Sequence, residues 1–281
     1  MHHQLSSENL VVFESALFRT TSTCIRTEEY LLLVDPNWLP AEVDYLRRFA
    51  GLHGDVKELF LLFTHSDYDH IIGYGAFPGF STIASQRFVD NPDRNAQLQQ
   101  AIDWDDEYYI RRDYAPLTYP VIDLPVGGDG QEMQIGRDNY VFYQAPGHNY
   151  DGLLTFNRSR GILVAGDYLS NVEFPYVYHS FSAYRATLAT LAKLIASGDV
   201  KVLVTGHGDH TTDAAEMARR IADSYAYLDA LDTSVANGTE FDFDGLMRRY
   251  EFPGIMRKFH DKNVALRTTL PPAAANGHRA L

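Results

Sequence analysis

Seven side chains of this sequence have the types and spacing of metal ligands. Four histidines stand beside glycine, aspartate or another histidine where an apolar run gives way to a loop. They are His65, His70, His148 in Ala145-Pro146-Gly147-His148, and His207 in Thr205-Gly206-His207-Gly208. Three aspartates accompany them: Asp67, Asp69, and Asp167 in Ala165-Gly166-Asp167. Glycine at such places lets the backbone turn sharply where a side chain must project. The densest group reads His-x-Asp-x-Asp-His over residues 65–70. On a chain leaving a strand alternate residues share a side, so 65 and 67 can grip one ion. Residues 69 and 70 then reach a second as the chain enters a helix. Imidazole and carboxylate at this density suit borderline or harder divalent cations. Any one of these residues has an ordinary alternative, since a histidine near a strand end is usually structural and an aspartate there is often a helix N-cap. Seven at corresponding places in a strand-strand-helix rhythm are not explained that way.

Those groups need strands behind them. Residues 9–15, 17–26 and 30–35 are rich in β-branched and aromatic side chains and read as strands, the third ended by Pro36. A helix is expected at 41–52, from Val43, Leu46, Phe49 and Ala50. Residues 56–63 form an apolar run expected to be a strand buried on both faces, leading into the first histidine. A short strand at 81–84 and a charged, solvated helix within 93–113 follow. A second series of strands starts near Tyr119, with members at 121–126, 140–144, 153–156 and 162–165. Helix 184–197, strand 200–205 and a long helix at 213–237 come next. Residues 241–270 show a short helix-like stretch and then lose their pattern, and 271–281 are expected to be a disordered tail. The organisation expected is a catalytic domain over 1–240 and a helical extension over 241–270 packed on it. Strands then helix in each half suggest two sheets face to face with helices outside.

The motifs resemble the metallo-β-lactamase superfamily, whose cluster His-x-His-x-Asp-His is followed by a lone His, an Asp and a final His. The resemblance covers about residues 9–210 and keeps the family's order. It implies an α+β fold, a four-layer αββα sandwich with a two-metal site at one edge. Carried over residue by residue, His65, Asp67 and His148 would hold one ion. Asp69, His70 and His207 would hold the other, and Asp167 would bridge them. Asp67 stands where the family has its second histidine. Three carboxylates against +4 leave +1, which a bridging hydroxide reduces to zero. Zinc is the default, and the harder, more anionic site favours iron or manganese relative to it.

The function expected is that of a metal-dependent hydrolase. A hydroxide activated by two metals would attack a small ester, lactone, thioester or phosphoester, with Asp69 orienting the nucleophile and carrying a proton. Asp67 motivates an alternative, a di-iron redox or oxygen-binding protein, since di-iron flavoproteins of the superfamily carry Glu there. A third possibility is a scaffold that keeps only the fold. Substrate contacts are expected from Tyr68 in the metal loop, and from Tyr168, Glu173, Tyr176 and His179 in the aromatic segment after Asp167. His210 and His260 are not expected to be ligands, and Arg248, Arg249, Arg257 and Lys258 do not define an anion site.

Composition narrows the partners. The 281 residues include 24 basic and 37 acidic side chains, a net charge of −13. That charge argues against nucleic acid and anionic membranes and for a small-molecule substrate. The oligomeric state is left open. Cys24 alone excludes an internal disulfide and an iron–sulfur cluster, and it sits in a strand rather than a reactive setting. With no secretion-like leader visible, the expected location is the cytoplasm.

Overall fold

The computed structural model describes residues 1–53 and 55–269, so the tail expected at 271–281 lies outside the described residues. Alternation along the strands dictates the layering. In β2 (Leu10–Glu14), Leu10 and Val12 face one way, Val11 and Phe13 the other, and all four are buried. A sheet buried on both faces must be covered on both. A seven-stranded sheet runs in the order β1 (His2–Ser6), β2, β3 (Thr21–Arg26), β4 (Tyr30–Val34), β5 (Glu58–Leu62), β6 (Ser81–Ser85), β7 (Leu124–Val126). It is antiparallel through β4 and parallel from β4 to β7.

The second sheet has five strands, in the order β12 (Val202–Val204), β11 (Ile162–Val164), β10 (Leu153–Asn157), β9 (Asp138–Gln144), β8 (Gln131–Ile135). Leu32 and Val34 from the first sheet meet Phe142, Leu153, Val164 and Val204 from the second in the central core. Val11, Phe13, Leu31 and Leu33 pack outward on Val43, Leu46 and Ala50 of α1 (Pro40–His53). Leu154, Phe156, Leu163 and Leu203 pack outward on Leu188 and Leu191 of α5 (Phe181–Ala196) and on Leu228 and Leu231 of α6 (Ala214–Asn237). The expected four-layer αββα sandwich is therefore present. The remaining helices are α2 (Tyr68–Ile71), α3 (Gln86–Val89), α4 (Arg94–Glu107), α7 (Phe243–Met247) and α8 (Pro253–Thr269). Among the described residues no helix is long and apolar enough to cross a membrane.

Four readings of local structure need correction. β1 and β8 were not anticipated, because both are polar edge strands with little apolar alternation. The strand expected at 17–26 begins at Thr21, and residues 17–20 form a turn with Phe18 at φ 52° and Arg19 at φ 49°. Residues 241–270 do not lose their pattern: α8 is a regular helix of 17 residues. Its buried side chains are Met256, His260, Asn263 and Arg267, so the inward face is mostly polar and hydropathy does not show it.

Candidate metal centre

All seven residues sit just past strand ends, and the backbone laces those ends together. Leu153 N–H donates to Thr64 O at 2.8 Å, Thr21 N–H to Gly206 O at 2.7 Å, and Gly206 N–H to Gly166 O at 2.6 Å. Gly206 must be glycine for packing: a Cβ there would overlap the Asp167 carboxylate. Gly147, at φ +139°, passes against the backbone of Tyr184, which leaves no room for a side chain either. Asp67 occupies the N-cap position of α2, yet its carboxylate makes no cap bond. It is turned instead toward His148 and His65, with Oδ2 at 3.2 and 3.6 Å from their Nε2 atoms.

Asp167 is the hub. Its carboxylate lies 3.6 Å from His65 Nε2, 3.2 Å from His70 Nε2, 3.2 Å from His148 Nε2 and 3.3 Å from His207 Nε2. Donor atoms of His65, Asp67, His148 and Asp167 lie within 4.8 Å of one another, and so do those of Asp69, His70 and His207. Asp69 Oδ2 is 3.6 Å from His70 Nε2 and 3.5 Å from His207 Nε2. Two neighbouring ligand sets thus share one carboxylate between them.

Each imidazole has its Nδ1 bound to the protein. His70 donates to Asp35 Oδ2 at 2.9 Å, His148 to Tyr176 O at 2.7 Å and His207 to Phe18 O at 2.9 Å. His65 Nδ1 lies 3.0 Å from Thr64 Oγ1, whose own hydroxyl donates to Asp35 Oδ2 at 2.5 Å. Asp35 therefore steadies two histidines, one directly and one through Thr64. A proton fixed on Nδ1 leaves Nε2 as a lone pair, the tautomer a cation requires. The residues fit a metal pair on a second count. His65 Nε2, His70 Nε2 and Asp167 Oδ1 are buried without a hydrogen-bond partner, and such atoms are costly unless a ligand completes them.

Residues 17–207 match the family model described as the metallo-beta-lactamase superfamily. The chain belongs to that superfamily. A metallo-beta-lactamase family protein from Thermus thermophilus shares the fold at TM-score 0.62 and 17% identity, over 93% of each chain. A metallo-beta-lactamase from Pontibacter korlensis aligns at TM-score 0.57 and 14% identity, over 80% of this chain and 98% of its own. The sec-alkyl sulfatase PisA1, as a double mutant, aligns at TM-score 0.65 and 14% identity; 94% of this chain spans 49% of that one. No curated protein matches the chain at a significant level.

In this member of the metallo-β-lactamase superfamily the candidate ligands also shape one another's charge. Burial alone would push the imidazoles down. The neighbouring carboxylates outweigh it, Asp167 and Asp69 at His70, Asp167 and Asp67 at His148, so both histidines lie well above the ordinary value. His207 is pushed up to about 10, burial being overcome by Glu173, Asp167 and Asp69. Burial opposes ionisation of Asp67 and Asp167, yet the histidines hold both well below the usual carboxylate range. Without cations the cluster is a knot of imidazolium and carboxylate that a metal pair would enter by displacing protons.

The expected substrate contacts divide. Tyr176 is half-buried, with its ring edge-on to His148. Glu173 is half-buried, and among the described residues its carboxylate has no hydrogen bond or ion pair. Burial, then Asp167 and Asp69 against the opposing His207, raise its pKa. Tyr68 packs on Trp38 and Trp104 beside the metal loop. Tyr168 is 2% exposed, and its hydroxyl donates toward Ala145 O and accepts from His148 N–H, so it shapes the His148 loop. His179 is exposed and stacks edge-on with Tyr150, with no contact to a candidate ligand residue among the described ones. His210 pairs with Gln4, and His260 is buried among Tyr227, Phe241 and Phe243. Arg249 and Arg257 pair with Asp223 and Asp244. The buried Cys24 thiol is pushed up to about 12, which removes it as a nucleophile.

Sequence reasoning missed four residues. Tyr178 donates its hydroxyl to Asp67 Oδ1, and Asn149 Nδ2 donates to the same oxygen at 3.1 Å. The pair leaves Oδ2 of Asp67 for a metal. Asp35 follows β4 with no motif around it. Phe18 acts through a backbone carbonyl, which no side-chain pattern encodes.

Proposed function

We propose that this chain is a binuclear metal-dependent hydrolase of a small ester, lactone, thioester or phosphoester. The observation that carries this reading is the convergence of four Nε2 atoms on Asp167, each imidazole's other nitrogen already bound to the protein. His65, Asp67 and His148 would hold one ion, Asp69, His70 and His207 the other, with Asp167 common to both. Such a pair supplies Lewis acidity and makes a water acidic enough to ionise near neutral pH. Asp69, whose Oδ2 lies 3.5 Å from Thr20 Oγ1, orients the attacking water and carries a proton toward the leaving group. Glu173 faces the same pocket and holds a proton more readily than an ordinary glutamate. Tyr178 and Asn149 keep Asp67 turned toward its ion. Zinc is the default ion, and the third carboxylate, Asp67, shifts preference toward iron or manganese. Net charge −13 supports a small neutral substrate over a polyanion.

Elemental analysis of native protein, with a panel of esters, lactones, thioesters and phosphodiesters, tests the reading. His148→Ala and Asp167→Ala should each lose metal and hydrolysis together. Both variants retaining both properties would refute the ligand assignment. Asp67 also supports a second reading, a di-iron redox protein. Bound iron with visible absorption and no hydrolysis would favour it, and zinc with a featureless visible spectrum would remove it.

A further inference from the structure

Two cavities share Glu173 as a wall residue. One is a narrow cleft that reaches the ligands, with His148, Asp167, Ser170 and Tyr176 on its walls beside Glu173. The other, about 270 Å³, lies between the turn at residues 16–19, the loop after β11 and the start of α8. Ala16, Phe18, Val172, Phe252, Ile255 and Met256 line it, together with the stem of Arg19. Arg19 spends its guanidinium on Glu14 and Asp209, so the surface offered to a guest is nearly all hydrocarbon.

This cavity is joined to the metal centre by its own walls. Glu173 is common to both spaces. Phe18 lines the pocket while its carbonyl accepts from His207 Nδ1 at 2.9 Å. Phe18 and Arg19 are successive non-glycine residues in the left-handed region, at φ 52° and 49°. Such strain persists where surrounding structure enforces it, as at ligand-binding turns. The α8 wall is fixed as well: Asn263 accepts from Val177 N–H at 2.8 Å and donates to Pro175 O at 2.7 Å. Phe252, at the rim, is 45% exposed. An open cleft of about 650 Å³ beside α6 and α7 is lined by Asp223, Arg249 and Tyr250 and contains no metal ligand.

We propose that the 270 Å³ pocket is the subsite for an alkyl chain of the substrate, whose scissile ester, lactone or thioester group lies at the metal ligands while the chain passes Glu173 into the pocket. The volume lies just below the range of ligand sites, about 300–1,000 Å³, which suits one chain rather than a whole large molecule. The chemistry at the metals rests on the hydrolase reading, whereas occupancy of the pocket does not.

The test is a series of p-nitrophenyl esters from acetate to octanoate on the metal-loaded protein, paired with saturation-transfer NMR of 1-octanol. Wild type should gain up to about fourfold in kcat/KM per added methylene until the pocket is full. Ile255→Trp, which fills the space, and Phe252→Asp, which puts a charge on its exposed rim, should flatten that dependence and reduce octanol saturation transfer at least threefold. Phe252 is exposed enough that its variant tests the pocket even if Ile255→Trp fails to fold. Hydrolysis indifferent to chain length, or equally graded in wild type and Phe252→Asp, would overturn the subsite and leave the hydrolase standing. With no ester cleaved the hydrolase reading suffers, and octanol decides the pocket: transfer lost in Phe252→Asp supports it, and no transfer to wild type refutes it.

Discussion

Two buried polar clusters sit at opposite ends of β4 and are finished in different ways. At its start, Tyr30 donates to Asp138 Oδ2 at 2.6 Å and pairs with Tyr140 at 2.7 Å. Asn157 donates to the same carboxylate oxygen at 3.0 Å, and Arg160 adds its guanidinium. That network closes on itself. Past the end of β4, Asp35 anchors a cluster in which His65 Nε2, His70 Nε2 and Asp167 Oδ1 remain buried without a hydrogen bond. A structural network satisfies its own polar atoms, while a ligand site leaves a convergent set open. This difference separates the two clusters better than burial or charge, which they share.

Breaking each hub should therefore have different consequences. Asp167→Ala should abolish binding of both ions and all hydrolysis while the chain still folds, as elemental analysis and circular dichroism would show. Asp138→Ala should do the reverse. It leaves metal content intact and costs about 2–4 kcal/mol in urea unfolding, because charge-assisted bonds vanish and the Tyr30 hydroxyl loses a buried acceptor. Asp35→Asn should weaken metal binding by about 10–100-fold, the range for loss of a carboxylate behind a histidine ligand, in competition with a chelator. Tyr178→Phe touches only the outer oxygen of Asp67, where Asn149 remains, so its effect should stay near or below the ~10-fold end of that range.

The two clusters should also respond differently to pH. In metal-free protein His70, His148 and His207 have raised pKa values, so the stability they give is complete below about 6.5 and is lost as pH rises toward about 10, the value for His207. Asp67 and Asp167 are depressed, and theirs is lost only on strong acidification. Asp138 is likewise depressed, burial being outweighed by Arg160, Tyr30 and Asn157, so its share is lost only as pH falls. Metal binding displaces the imidazole protons and strengthens as pH rises. The Tm gap between metal-loaded and chelated protein should widen from about pH 6 to about pH 9. A constant gap would argue against imidazole ligands.

The candidate ligands were legible because each is a side chain of diagnostic type beside a strand end, and six of the seven types follow the family order. The layers were legible because β2, β4 and β5 are nearly pure apolar runs. The parts that resisted share a physical cause. Phe18 O is a backbone atom, and Asp35 and Asn149 become meaningful only when β4, β5 and β9 are brought together. Tyr178 lay in a segment whose tyrosines all look alike in sequence; two of them, Tyr168 and Tyr178, have hydroxyls committed to the protein. The buried face of α8 carries His260, Asn263 and Arg267, so its helical period is hidden from any reading based on hydrophobicity.

Asp167 is proposed to join two cation sites. Metal content per chain, measured on native protein and on Asp167→Ala side by side, tests it most directly. Native protein should hold close to two equivalents and the variant near none. Two equivalents retained in the variant, or none in the native protein after reconstitution with zinc, iron or manganese, would contradict it.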